Sequence, residues 1–276
     1  MNIDLHCHSN VSDGALAPAE VARRAAAKGV DVWALTDHDQ VSGLAAARIA
    51  AEAAGMRFVA GVEISVTWRG NTLHIVGLRI DPANAVLESG LAQVRGGRLE
   101  RARQMARELA EHGVEGALEG ALRHAENPEM IGRTHFARFL TEVGAVPDTK
   151  GAFRRFLVPG KPGYVPHQWA ALADAVSWIR AAGGHAVLAH PGRYGLSAGA
   201  MGSLLQEFRE AGGEALEVVT GSHSPEQYAL FGELARQHDF AASRGSDFHG
   251  PEEGAEFGTL PALDPSLRPV WRDWAL

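Results

Sequence analysis

The stretch that decides the reading is Asp4-Leu5-His6-Cys7-His8, echoed far downstream by Asp37-His38 and Asp247-Phe248-His249. On a β-strand successive side chains face opposite sides, so Asp4, His6 and His8 are expected on one face and Ile3, Leu5 and Cys7 on the other. Two imidazoles stacked on one strand face, with a carboxylate behind them, make the start of a metal site, because neutral imidazole binds divalent metals and a nearby carboxylate fixes its tautomer. Taken alone, the segment reads equally well as a surface strand that happens to carry two histidines.

The rest of the chain extends the pattern. Short apolar runs alternate with Ala-rich helical segments, the signature of βα units and a mostly parallel sheet. Strands are expected at Ile3–His8, Val32–Thr36, Phe58–Glu63, Ala186–Ala189, Ala215–Val219 and Phe240–Ser243. Ser65–Trp68 and Thr72–Leu78 flank a hairpin turn at Arg69-Gly70-Asn71. Between them and the later strands lies a block of different character. It is led by one long charged helix, Leu91–His112, and is expected to form a helical insert over 84–164, with the α/β part made from 1–83 and 165–276. Polar candidates cluster at the carboxyl ends of the expected strands: His6, His8, Asp37, His38, Glu63, His190, Glu217 to His223, Asp247 and His249. That end of an α/β sheet is where active sites form. Scattered core histidines would not choose it repeatedly, so the pattern points to a polynuclear metal site.

Composition sets the outer bounds. The chain of 276 residues is 46% hydrophobic, enough for one α/β barrel or for one domain plus an insert. A single cysteine excludes an intramolecular disulfide and a thiolate zinc cluster. The first residues carry no leader pattern and no apolar run is long enough for a membrane span, so the cytoplasm is the expected location. The net charge of −7 argues against a surface built for long nucleic acid, although the 84–165 block is slightly basic and the remainder acidic. Imidazole and carboxylate ligands without sulfur suit Mn²⁺, Fe²⁺ or Zn²⁺ better than Mg²⁺ or Ca²⁺.

In order along the chain, Asp4-x-His6-x-His8, Ser12-Asp13-Gly14, Thr36-Asp37-His38-Asp39, Gly61-Val62-Glu63, His74, His190-Pro191 and Gly245-Ser246-Asp247-Phe248-His249 resemble the PHP (polymerase and histidinol phosphatase) family. The resemblance implies a distorted (β/α)7 barrel of PHP type with two to three divalent metals, Mn²⁺ foremost and Fe²⁺ or Zn²⁺ as alternatives. It implies phosphoester hydrolysis. His6, His8, Glu63 and Asp247 would hold one metal; Glu63, His74 and His190 a second, with Glu63 bridging; Asp13, His38 and His249 a third. Asp4 and Asp37 are expected to orient neighbouring histidines.

Ile131 to Arg138, His190 to Tyr194 and Gly221 to Ser224 are similar to a bacterial subgroup of nucleotide phosphatases and RNases that remove one phosphate at a time. This implies a small nucleotide substrate, a nucleoside 3′,5′-bisphosphate cleaved at the 3′ position. Arg101, Arg133, Thr134, His135 and Arg193 would contact it, with Glu63, Asp247 and His223 as the catalytic group and His223 also available to a phosphate. Arg98 and Arg101 could equally just solvate their helix. The alternatives are a 5′-to-3′ exoribonuclease on short RNA, a histidinol phosphatase, and a metal-binding module without catalysis.

Overall fold

The computed structural model describes residues 1–275. The chain runs β1 (Ile3–Asp4), α1 (Pro18–Ala27), β2 (Val32–Leu35), α2 (Leu44–Ala53), β3 (Arg57–Trp68), β4 (Asn71–Leu78), α3 (Ala85–Arg95), α4 (Arg98–Glu111), α5 (Ala117–Arg123), α6 (Arg133–Glu142), α7 (Thr149–Ala152), α8 (Leu172–Ala181), β5 (His185–Leu188), α9 (Ala198–Glu210), β6 (Ala215–Thr220), α10 (Pro225–Gln237) and β7 (Ala241–Gly245). Seven strands lie side by side in sequence order. All pairs are parallel except those made by β4, which is antiparallel to both neighbours because a hairpin joins it to β3. Arg69 and Gly70 both have positive φ at that turn, as a two-residue hairpin requires.

The sheet closes where the first segment meets the last strand. Leu5 N donates to Arg244 O at 3.0 Å and Asp247 N to His6 O at 2.8 Å. Gly245 makes this approach feasible: a Cβ there would fall 2.5 Å from the backbone nitrogen of His6. The result is a nearly closed mixed α/β barrel. Helix-facing side chains such as Trp33, Leu35, Ile75 and Leu188 form one core with the surrounding helices, whereas Ile3, Leu5, Val32, Ala34, Val76 and Val187 fill the barrel interior. Val270 and Trp274, from the C-terminal segment, complete the interior cluster at its end.

The strand expected over Ile3–His8 is regular only at Ile3–Asp4. Alternation slips there: Ile3 and Leu5 fill the interior, but Cys7 packs in the outer layer, where its thiol meets the Trp33 indole at 3.1 Å. At the same place the Ser246 N–H donates to the Asp4 carboxylate at 2.9 Å. Phe58–Glu63 and Ser65–Trp68 are one continuous strand, β3, paired throughout with β4 or β2.

The helix expected over Leu91–His112 is two helices, broken at Gly96-Gly97. Leu87, Leu91 and Val94 of α3 pack in the barrel's core, and Gly90 lets the Trp178 ring of α8 lie against the helix backbone. The insert has its own core from Ala102 onward, built on Met105, Leu109, Phe136, Leu140 and Leu157. By packing, then, the helical unit begins after α3 and not at residue 84.

Candidate metal centre

Strand ends, the interiors of β3 and β4 and the loop that carries Asp13 bring six imidazoles and three carboxylates to one spot. Glu63 is completely buried at its middle. One of its oxygens lies 3.0 Å from His74 Nδ1, 3.0 Å from His190 Nε2 and 3.3 Å from His6 Nε2. Its other oxygen lies 3.0 Å from His38 Nδ1 and 3.2 Å from His8 Nε2. Asp247 Oδ1 sits 3.4 Å from His6 Nε2 and 3.3 Å from His8 Nε2. On the far side His249 Nε2 is 3.3 Å from Asp13 Oδ1, and His38 Nε2 is 3.9 Å from Asp13 Oδ2.

Potential ligand atoms gather within 4.8 Å of one another in four overlapping groups: His6 with His8 and Asp247; His6 with Glu63 and His190; His38 with Glu63 and His74; and His8 with Asp13, His38 and His249. All nine residues expected as ligands are thus together. The partition is less sharp than expected, since the His8 and His38 rings each turn one nitrogen toward Glu63 and the other toward Asp13.

The donor set fits divalent cations. His6 Nε2 and His8 Nε2 face each other at 3.2 Å, and His74 Nδ1 and His190 Nε2 at 3.4 Å. Buried His8 Nδ1, Asp13 Oδ1, His38 Nδ1, Glu63 Oε2 and His190 Nδ1 have no hydrogen-bond partner among the described residues. Buried polar atoms without partners are costly, and a cation shared among them removes that cost. The electrostatics agree. Burial pushes the His8 imidazole down, but Asp247 and Glu63 outweigh it and hold its pKa at about 10. Burial also opposes ionisation of Glu63, Asp13 and Asp247, yet the surrounding histidines hold all three well below the usual carboxylate range. Burial instead lowers the pKa of His38 and of His190, the latter to about 4, which keeps these two imidazoles available as neutral donors.

Backbone geometry is strained at the same place. His190, Asp247 and Asp39 have φ of 26°, 56° and 47°, a left-handed region uncommon for residues other than glycine.

The residue that orients His6 is one of the polar strand-end candidates to which the sequence assigned no role. Glu217, buried in β6, accepts from His6 Nδ1 at 2.9 Å and from the His190 backbone N–H at 2.7 Å. It was visible as a lone charge inside the apolar run Ala-Leu-Glu-Val-Val. Asp4 and Asp37 do not touch an imidazole ring. Asp4 holds Ser246, and Asp37 accepts from the Ser9 backbone N–H and from the Ser9 and Ser12 hydroxyls.

A cleft opens over the cluster, lined on the barrel side by Asp13, His38, Glu63, His74, His190, Asp247 and His249, and on the insert side by Arg98, Arg101, Gly132, Arg133, Thr134 and Phe153. Arg98 is not a solvating residue: it is buried against Asp39 and stacks 4.7 Å over the Trp169 ring. Arg101 stacks on the same ring at 5.3 Å, and Arg133 lies 5.7 Å over Phe153. Among the described residues neither Arg101 nor Arg133 has a carboxylate within ion-pairing distance. Burial, and then the charges of Arg133 and Arg98, lower the Arg101 pKa to about 9. Arg193 lines the rim and donates to Asp247 Oδ2 at 2.9 Å.

Two expected contacts fall elsewhere. Both nitrogens of His223 are engaged by backbone: Nδ1 donates to Val218 O at 3.0 Å and Nε2 accepts the Gly192 N–H at 2.9 Å. It is buried, stacked 4.8 Å from Phe231 and absent from the cleft wall, so it braces the His190–Gly192 loop and has no nitrogen left for a leaving group or a phosphate. His135 is buried behind the cleft wall, where Nδ1 accepts the Gly132 N–H at 3.0 Å and caps α6. Thr134 does reach the cleft, but its hydroxyl donates to Asp13 Oδ2 at 2.9 Å.

A seven-stranded barrel with this cluster at its carboxyl rim defines a class, and the chain belongs to it: a family model described as the PHP domain matches residues 4–183. Within that class it is 54% identical to a 3′,5′-nucleoside bisphosphate phosphatase from Chromobacterium violaceum, over 99% of this chain and 96% of the relative. It is 42% identical to the 5′-3′ exoribonuclease Rnm of Salmonella typhimurium, over 98% of this chain and 93% of that one. A solved Chromobacterium violaceum amidohydrolase carrying bound sulfate superimposes with a TM-score of 0.96 at 53% identity, covering 99% of this chain and 95% of its own.

Proposed function

We propose that this protein is a metal-dependent phosphatase that removes the 3′-phosphate of nucleoside 3′,5′-bisphosphates, releasing the nucleoside 5′-monophosphate and orthophosphate. The observation that carries this reading is the pairing, across one cleft, of the carboxylate–imidazole cluster with two arginines that have no carboxylate partner. One end takes a phosphate to be cleaved, and the other takes a phosphate to be held. The 54% identity to a phosphatase of that name, over nearly the full length of both chains, supports the same substrate class.

His6, His8, Glu63 and Asp247 would hold one divalent ion, Glu63, His74 and His190 a second, and Asp13, His38 and His249 a third. Mn²⁺ heads the candidates, with Fe²⁺ and Zn²⁺ compatible with the same ligands. Bound divalent ions supply the acidification of water and the neutralisation of phosphate oxygens that phosphoester hydrolysis needs. The protein's own residues do the positioning. Glu63 offers one oxygen to each side of the cluster. Arg193, tied to Asp247, presents its guanidinium at the reacting end. Arg133 and Arg101 would clamp the 5′-phosphate, turning remote binding energy into orientation of the 3′-phosphate.

Short 5′-phosphorylated RNA is the second substrate class, favoured by the 42% identity to an exoribonuclease over nearly the whole chain. Initial rates of orthophosphate and nucleotide release from adenosine 3′,5′-bisphosphate, adenosine monophosphates, histidinol phosphate and a 5′-phosphorylated RNA trimer test the assignment. The bisphosphate should give the highest kcat/KM, by about tenfold or more over either monophosphate, a difference of about 1.4 kcal/mol. Higher kcat/KM on the trimer or on histidinol phosphate would reassign the substrate.

A further inference from the structure

The insert touches the metal centre as well as the cleft. At the first turn of α6, Thr134 donates its hydroxyl to Asp13 Oδ2 at 2.9 Å. One turn on, Arg138 donates to the backbone carbonyl of Asp13 at 2.8 Å. The same guanidinium grips Glu253 through two bonds of 3.0 and 2.6 Å. Glu253 sits in the turn that follows His249, with its N–H on Gly250 O at 3.2 Å. One helix of the insert therefore ties down both chain segments that carry Asp13 and His249.

Asp13 needs such support more than the other carboxylates do. Glu63 lies within β3, and Asp247 lies just past the end of β7. Asp13 lies in a tight loop, where Gly14 N bonds back to Ser9 O at 2.8 Å. Side chains on loops are held less precisely than those on regular elements unless other groups fix them. The Thr134 hydroxyl occupies one oxygen of Asp13 and leaves the other, Oδ1, buried, without a hydrogen-bond partner, and 3.3 Å from His249 Nε2. That is the arrangement of a carboxylate held by one oxygen so that the other can ligate.

We infer that Thr134 and Arg138 are positioning residues for the Asp13–His38–His249 group, so that the insert sets how tightly the centre holds its third ion. The inference rests on the three-ion reading proposed above. It also gives the insert two tasks on adjacent residues of one helix: Arg133 faces the substrate cleft, and Thr134 faces the metal centre.

The test is a Mn²⁺ titration of the chelator-treated full-length chain, followed by calorimetry and by electron paramagnetic resonance of free Mn²⁺. Thr134→Val keeps the shape and removes the donor. It should leave the two tightest sites at wild-type affinity and weaken the remaining one about 10–100-fold, the usual cost of losing a group that orients a ligand. Thr134→Ser, which keeps the hydroxyl, should restore it, and Arg138→Met should weaken the same site. Three sites of wild-type affinity in Thr134→Val would overturn the inference. So would a Thr134→Ser as weak as the valine variant, or equal weakening of every site, which would mark a folding role. If the wild-type chain takes up only two equivalents, the three-ion reading itself fails and takes this inference with it.

Discussion

Glu63 stands where the site's geometry is most demanding: its two oxygens face five imidazoles, at 3.0–3.3 Å. Replacing it by Gln puts a neutral amide where both sides of the cluster expect negative charge. Glu63→Gln should lower kcat by about 10³-fold, the scale seen when a preorganised charge-stabilising group is lost, measured at saturating Mn²⁺. Retention of wild-type kcat with normal metal content would remove Glu63 from the bridging role. His135 allows an electrostatic test outside the ligand set, made on chelator-treated protein because the charge of Asp13 reaches it. Burial first, and then the charge of Arg138 against the opposing pull of Asp13, lower its pKa from 6.5 to about 4. A histidine depressed in this way favours the folded state fully above its unfolded pKa and loses that contribution as pH falls from about 6.5 toward 4. His135→Gln keeps an acceptor for the Gly132 N–H but cannot protonate. Relative to that variant, the wild type should lose about 2 kcal/mol of stability between pH 7 and pH 5, read from urea unfolding at the two pH values. A parallel pH dependence in both proteins would contradict the buried neutral imidazole. The contrast between these residues shows what a sequence can disclose at this scale. Most ligands announce themselves by residue type and by position at an expected strand end, although Glu63 and His74 lie within β3 and β4 and Asp13 on a loop. The partners of His135 and His223 are backbone groups brought in by folding, so nothing in the sequence separates a capping or loop-bracing imidazole from a phosphate-binding one.

At the scale of elements, the two helices either side of Gly96-Gly97 belong to different cores, although their apolar spacing runs on almost without a break. Periodicity reports that a face is buried and is silent on what buries it, so it marks neither where one core gives way to the next nor that Arg98 is buried against Asp39. The packing of α3 on α8 is testable through Gly90, where a Cβ would sit 2.3 Å from the Trp178 ring. Gly90→Ala should destabilise the protein by about 1–3 kcal/mol, the cost of overpacking, in spite of the better helix propensity of alanine. A more stable variant in thermal unfolding would show that α3 does not dock there. Helix α6 carries the functional test at this scale. Arg133→Ala should cost about 2–4 kcal/mol in kcat/KM on a 3′,5′-bisphosphate, because it removes a planar cation from a partly desolvated phosphate. Turnover of a small artificial monoester should change little. Equal losses on both substrates would place Arg133 at the reacting phosphate or in the fold.

For the molecule as a whole, the barrel exists to hold mutually repelling carboxylates and half-engaged imidazoles at one rim, and bound cations should therefore contribute to its stability. Chelation should lower the thermal midpoint, by the equivalent of about 2.7 kcal/mol for each site that had been loaded at a hundredfold excess over its Kd; calorimetry of loaded and chelated protein measures it. An unchanged midpoint would mean that the cluster is stable without its ions. Much at this scale was legible in the sequence. The βα alternation, the hairpin at Arg69-Gly70 and the succession of polar strand ends suffice for a mostly parallel α/β sheet with a cluster at its carboxyl rim; its closure into seven strands came only from the resemblance to the PHP family. The reversal of β4 against β5 was not legible, because it depends on where the chain re-enters the sheet after a long insert, and pairing across such a distance leaves no local pattern. No helix among the described residues is long and apolar enough to cross a membrane.

The central claim is that the cluster cleaves one phosphate while the insert holds the other, and the site of cleavage reports on it directly. Phosphorus-31 NMR of adenosine 3′,5′-bisphosphate turning over with Mn²⁺-loaded protein follows both phosphates at once. The 3′ resonance should decay as orthophosphate rises in equal amount, with the 5′ resonance persisting as that of adenosine 5′-monophosphate. Loss of the 5′ resonance first, or no orthophosphate at all, would contradict the account.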